Sequence, residues 1–135
     1  MNRNIAICAV REFVAMPKTE VIILAEEDGS SLPLEWLDQM PPKVQDKCIV
    51  KIERLAELGH ELRRPEADYL RDGIYELRVS FRYINYRILY FFHGKQAILS
   101  HGLMKESEVP PTEIDFALSR RKLFETNPLK HTYED

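Results

Sequence analysis

The 135-residue sequence reads as an α+β domain with helices packed on one face of a mainly antiparallel sheet. Three observations predict this. Val21-Ile22-Ile23-Leu24-Ala25 is a continuous β-rich run of the kind a buried strand uses. From Lys43 to Leu58, Val44, Cys48, Ile52 and Leu55 recur at helical spacing, and Gly59 supplies a natural stop. Between Ile74 and Met104, three β-rich segments follow one another with only short turns between them. The order strand, two helices, three-stranded meander, helix is that of a sheet covered by helices. The length suits one domain with a real core.

Taken in order, residues 1–18 show no sustained period and Pro17 ends them. They read as an N-terminal extension, with the main domain spanning 19–126 and a short tail at 127–135. Arg11 and Glu12 interrupt the first apolar stretch before an h-region is complete, so a secretory leader is not expected. After the Val21 strand, Glu26-Glu27-Asp28-Gly29 marks a turn. Ser30-Ser31 supplies an N-cap, and Pro33, Leu34, Trp36 and Leu37 make a short helix. Pro41-Pro42 stops it and starts the long amphipathic helix. Cys48 lies on the apolar stripe of that helix, where a cysteine is a small buried hydrophobe. Strands follow at about Ile74 to Ser80, Asn85 to Phe92 and Gln96 to Met104. Val109-Pro110-Pro111 breaks the pattern. Thr112-Glu113-Ile114-Asp115 has the form of a capping box opening a last helix through about Phe124, with a basic end at Arg120-Arg121-Lys122 that suits a helix C-terminus.

Charge is unevenly placed. The 29 residues from Leu77 to Lys105 contain no Asp or Glu and five cations, Arg78, Arg82, Arg87, Lys95 and Lys105. The other 106 residues carry 14 cations against 22 acids, a net of −8. A cationic surface set into an acidic protein suits phosphate, and hence RNA, DNA or nucleotides. The alternative is a sheet whose acidic partners come from elsewhere in the chain.

Strand alternation sharpens this. With a loop symmetric about Arg82-Tyr83, Ser80 pairs with Asn85 and Arg78 with Arg87. Tyr75, Leu77, Val79, Tyr86, Ile88, Tyr90 and Phe92 then share one apolar face. Glu76, Arg78, Ser80, Asn85 and Arg87 share the other, which Leu89 and Phe91 continue. Two arginines directly opposite each other disfavour pairing. An anion held between them would relieve the repulsion, since guanidinium forks match phosphate oxygens. Neutralisation by Glu76 or a helix carboxylate is the other solution. For the next hairpin, a two-residue turn at Gly94-Lys95 puts Arg87 opposite Gly102 and His101 opposite Ile88, on the core face with Ala97, Leu99 and Leu103. A three-residue loop would instead place His101 opposite Arg87.

Many chemistries have no support. The nucleotide-binding and serine-nucleophile glycine motifs are absent. The histidines show no ligand spacing and there is no Cys-x-x-Cys, so neither a metal nor a cofactor is expected. No apolar run is long enough to span a membrane, and the cysteine usage fits a reducing cytoplasm. The carboxylates fall on helices and turns as solvated charge. Catalysis would therefore fall to cations, helped by Tyr86, Tyr90 or a histidine. Metal-free RNA cleavage fits, because the adjacent 2′-hydroxyl is the nucleophile.

Four segments resemble a known family. Leu70-Arg71-Asp72-Gly73-Ile74-Tyr75-Glu76-Leu77-Arg78 is similar to the "L-x-D-G-L-Y-E-L-R" segment of the RelE/HigB superfamily of bacterial toxins. Tyr86-Arg87-Ile88-Leu89-Tyr90-Phe91-Phe92 resembles "Y-R-I-x-Y-F", Ser100 to Lys105 resembles "L-H-G-F-x-K-K", and Pro111 to Arg121 resembles "P-x-x-E-I-x-x-A-x-x-R" of its phage-derived branch. The resemblance runs from about Val21 to Lys122. It implies a RelE-like α+β fold and a toxin of a type II toxin–antitoxin pair. Such a toxin is a metal-independent endoribonuclease cutting mRNA, usually on the ribosome, held inactive by an antitoxin that is often a helix-turn-helix protein. By position it implies Arg78 and Arg87 as the phosphate-contacting, transition-state-stabilising arginines, and Lys105 as the first lysine of the pair. The second lysine is Glu106 here, and the preceding phenylalanine is Leu103. A non-catalytic relative that binds a protein or nucleic acid, and a gyrase inhibitor, are the competing readings.

Overall fold

The computed structural model describes residues 19–134, so the expected 1–18 extension lies outside the described residues. The elements are β1 (Glu20–Ile23), α1 (Leu32–Asp38), α2 (Pro42–Leu58), a 3-10 turn (Gly59–Glu61), β2 (Ala67–Arg71), β3 (Ile74–Phe81), β4 (Ile84–His93), β5 (Gln96–Lys105) and α3 (Pro111–Thr126). The strands form one sheet in the order β1-β5-β4-β3-β2. Every neighbouring pair is antiparallel except β1 with β5. The α+β class and the mainly antiparallel sheet are as the sequence predicts. Among the described residues, no helix is long and apolar enough to cross a membrane.

The helices do not share one face. On the first face, Leu77, Val79, Tyr86, Ile88, Tyr90, Ala97 and Leu99 pack against the stripes of α1 and α2. On the second, Ile22, Leu24, Ile74, Leu89, Phe91 and Ile98 pack against Ile114, Ala117 and Phe124 of α3. The reason is in the strands themselves. β1 is apolar on both sides, and Leu89 and Phe91 make the lower part of the second face apolar too. A surface of that size left in water would cost about 25 cal/mol per Å², so a helix covers it. Cys48 is fully buried in the first core, and burial pushes its thiol up to about 12.

Two local expectations change. β2 was not legible as a strand, because Asp68, Tyr69 and Arg71 obscure its pattern and only Ala67 is buried. It is an edge strand, held by antiparallel pairing to β3 across the Asp72-Gly73 turn. The last helix begins at Pro111, after Pro110 as N-cap, with no side-chain cap. Thr112 is thus inside the first turn, and Glu113 is engaged elsewhere. The helix runs on to Thr126, which leaves Arg120 and Arg121 in its middle, where they bind Glu26 and the Asp72 carbonyl. The chain after α3 returns to β1: Leu24 bridges Thr132, and the Tyr133 amide donates to the Ile23 carbonyl at 2.8 Å.

Gly102 sits on the first face beneath Trp36. A Cβ there would lie 2.2 Å from the indole Cδ2. Trp36 is itself packed edge-on against Tyr86 with centroids 6.4 Å apart. Neither ring can yield cheaply, so Gly102→Ala is expected to destabilise the fold by about 1–3 kcal/mol. Urea unfolding of the variant measures this directly, and an unchanged midpoint would contradict the packing described.

Candidate functional site on the second sheet face

The β3–β4 register is the expected one. Arg78 lies opposite Arg87 and Ser80 opposite Asn85, with the Ser80 hydroxyl donating to Asn85 Oδ1 at 3.0 Å. The hairpin is closed by Arg82 and Tyr83, both at positive φ (51° and 70°), as a two-residue turn of matching twist requires. α3 covers the lower rows of the second face (Phe91, Leu89) and the arginine row lies above them.

Glu76 joins the arginines. Its Oε2 is 3.6 Å from Arg78 Nε and its Oε1 is 3.5 Å from Arg87 Nε. The sequence placed carboxylates on helices and turns as solvated charge. This one is in the sheet, with a side chain only 9% exposed. Of the two ways to relieve the arginine pair, the folded chain by itself uses Glu76. Burial pushes the Glu76 carboxyl above its ordinary range, against the opposing pull of Arg87 and then Arg78. Burial likewise lowers Arg87, with Glu76 working the other way and Arg78 adding to the fall. The arginines are not equivalent. Arg87 is 7% exposed and donates from Nη1 to the Tyr86 carbonyl at 2.9 Å, whereas Arg78 is 34% exposed.

The pair opens on two sides. A cleft of about 390 Å³ runs from Glu76, Arg78 and Arg87 to Arg64 and to Ser107 and Glu108 before α3. A second, of about 630 Å³, runs from Arg78, Ser80, Asn85 and Arg87 to Lys47 and Lys51 on α2. That second recess lies beyond the Ala67–Leu77 end of the β2–β3 pairing, where the Arg78 amide donates to the carbonyl of Glu66, just before β2, at 2.9 Å. The α2 lysines carried no signal in the sequence, since charges on the outer side of an amphipathic helix are the rule.

Neither sequence register for β5 holds. The two-residue turn at Gly94-Lys95 is present, with His93 opposite Gln96 and Tyr90 opposite Leu99. Ser100 is then an extra residue, and the pairs become Leu89 with His101, Ile88 with Gly102, Arg87 with Leu103 and Asn85 with Lys105. This β-bulge turns every later side chain to the opposite face. Lys105 thereby joins Arg78 and Arg87 on the second face. His101 also moves to that face, and it is buried at the foot of α3 with Nε2 2.9 Å from Glu113 Oε1. Burial lowers its pKa, and Glu113 opposes that. Tyr86 and Tyr90, proposed as helpers, lie buried on the first face, with the sheet between them and the arginines.

All of these residues fall within a single family match. The family described as "Phage derived protein Gp49-like (DUF891)" matches residues 35–122, from α1 to within α3. The chain belongs to this family. No curated protein matches the chain. The Gp49-like span holds Glu76, Arg78, Arg87 and Lys105, while β1 and the returning tail fall outside it.

Glu76 gives this Gp49-like site a pH dependence with a definite sign. Its folded-state pKa is raised above the ordinary carboxylate value of 4.5, so the window in which it takes up a proton lies above that value. Protonation removes the negative charge between the arginines. Affinity for an anion whose own charge is constant there, such as sulfate, should therefore rise as pH falls through that window. By the same linkage, the stability this group contributes is present at low pH and lost as pH rises through its raised value. Glu76→Gln is expected to hold sulfate affinity at its low-pH level throughout. Calorimetric titrations of both proteins across the window check this, and a Glu76→Gln protein that keeps the full pH dependence would assign it to another group.

Proposed function

We propose that this protein is a toxin of the RelE/HigB type that cleaves mRNA in the cytoplasm without a metal, on the ribosome, and is held in check by a helix-turn-helix antitoxin. The observation that carries the reading is the juxtaposition of Arg78, Arg87 and Lys105 on one sheet face, beside two clefts able to admit a phosphodiester chain. The resemblance in four motifs and membership of the Gp49-like family support it. In this reading the RNA 2′-hydroxyl attacks the adjacent phosphorus and the 5′-oxygen leaves, so the protein supplies charge and proton transfer and no nucleophile. Arg78, the more exposed arginine, contacts the phosphate. Arg87, preorganised by burial and by Glu76, stabilises the charge that develops in the phosphorane. Lys105 assists as base or electrostatic contributor.

A second reading is favoured by a specific observation. Glu76 already spans the arginines, and Glu106 stands where relatives in the resemblance have a second lysine. A binding protein without cleavage activity would tolerate both.

Induced expression in a bacterial host, scored for growth and for new mRNA ends, separates the readings. Growth arrest is expected, with internal mRNA ends bearing 2′,3′-cyclic phosphate or 3′-phosphate, and the purified protein should remain active in EDTA. Loss with chelator, or 3′-hydroxyl ends, would reject the mechanism. Arrest with intact mRNA and altered DNA topology would support gyrase inhibition instead. No arrest and no cleavage would support the binding protein. A short helix-turn-helix reading frame beside the gene would support the antitoxin assignment.

A further inference from the structure

The placement of Lys105 depends on one residue of β5 and on what holds it. The Gly94-Lys95 turn sets the pairs up to Tyr90 with Leu99. Continued without interruption, that register would pair Lys105 with Ile84 and send its side chain to the first face, away from the arginines. The extra residue, Ser100, prevents this. β1 stops pairing with β5 at Leu99, so beyond that point β5 has no neighbouring strand on that side to satisfy its backbone.

A side chain takes the place of the missing strand. Arg120 of α3 donates from Nε to the Ser100 carbonyl at 3.1 Å. Its two terminal nitrogens grip both oxygens of Glu26, just past β1, at 2.8 and 2.7 Å. The Ser100 hydroxyl is 2.9 Å from His101 Nδ1, and His101 Nε2 reaches Glu113 on the first turn of α3. Ser100 is fully buried and Arg120 is 5% exposed. Arg120 is therefore in no position to meet a ligand itself. Gly102, which alone fits beneath Trp36, agrees with the same register from the other face.

We propose that Arg120 is a positioning residue: by clamping the bulge at Ser100 it holds Lys105 on the face of Arg78 and Arg87 and so supplies the phosphate site with its third cation. This rests on the reading of that face as an RNA-phosphate site. The clamp itself belongs to the fold. It also gives the pair of buried Arg120 with half-buried Glu26 a role beyond stability, to which such pairs contribute little net.

The test is a double-mutant cycle on binding of a 2′-O-methylated single-stranded RNA oligonucleotide, which cannot supply its own nucleophile. The proteins are wild type, Lys105→Ala, Arg120→Lys and the double variant, each checked by thermal melting. A lysine keeps a cation for Glu26 but cannot serve both Glu26 oxygens and the Ser100 carbonyl at once. Lys105→Ala should weaken binding and reduce the slope of log K against log salt by about 0.7, the value for one phosphate contact on a single strand. Arg120→Lys should reproduce most of that loss. In the Lys105→Ala background it should cost nothing further, within about twofold. Additive losses, or an Arg120→Lys protein that binds like wild type while Lys105→Ala does not, would overturn the proposal. If Arg120→Lys does not fold, Glu26→Gln with Arg120→Gln removes both charges together and takes its place. Unchanged binding in Lys105→Ala would reject the phosphate-site reading. The clamp is then judged by cross-strand proton contacts between Asn85 and Lys105 in NMR spectra, expected to weaken in Arg120→Lys. Contacts at full strength there would overturn it irrespective of RNA.

Discussion

Arg78→Ala and Arg87→Ala are each expected to lower RNA cleavage, and with it toxicity, by about 10²–10³-fold, the usual loss for one preorganised group at a developing oxyanion. Arg82→Ala should do far less, because Arg82 belongs to the exposed hairpin tip and lies over the Phe81 ring instead of on the arginine row. The two large losses should differ in their side effects. Arg78 is one-third exposed, so its removal should leave the melting temperature nearly unchanged. Arg87 is buried and bonded to the Tyr86 carbonyl, so Arg87→Ala should also melt earlier. Relief of like-charge repulsion, which the bare sequence argues for, is already provided by Glu76. Glu106→Lys should raise cleavage or leave it unchanged. Growth assays and single-turnover cleavage on folded variants decide the matter; full activity in a folded Arg78→Ala protein would sink the assignment.

Phe124→Ala is expected to cost about 3–5 kcal/mol of stability, the range for emptying a buried phenylalanine site. Phe124 is fully buried in the second core, edge-on to Phe91 with ring centroids 6.1 Å apart and to His93 at 5.3 Å. It is the main anchor of α3, and α3 carries both Arg120 and Glu113. The variant should therefore unfold at much lower urea while the arginine row, on β3 and β4, keeps its composition. A loss under 1 kcal/mol would mean that α3 is held chiefly by polar contacts. Comparing this variant with Arg78→Ala separates damage to the fold from damage to the site.

Much of this protein was legible because local chemistry and burial agree. The β3–β4 register followed from alternation, since a slip by one residue would turn Leu77, Val79, Tyr86 and Ile88 out of the first core. The same argument put Arg78 against Arg87 without any structure. The stripe of α2, the burial of Cys48 and the Gly94-Lys95 turn followed from period and turn chemistry. Glu76 was visible as a neighbour, although its burial between two arginines was not.

Other features were decided only in three dimensions, and each depends on a contact distant in sequence. β2 is a strand because β3 offers it an edge, and its own pattern is too polar to announce it. α3 lies on the second face because β1, inserted parallel beside β5, completes an apolar surface there. The face of Lys105 could not be read from β5 at all. Alternation is a local rule, and a single extra residue reverses it. The carbonyl of that residue accepts from Arg120, which is gripped in turn by Glu26, 94 positions earlier in the chain, so residue order alone set which cations were available, while the packing of β1 against α3 decided which of them share a face.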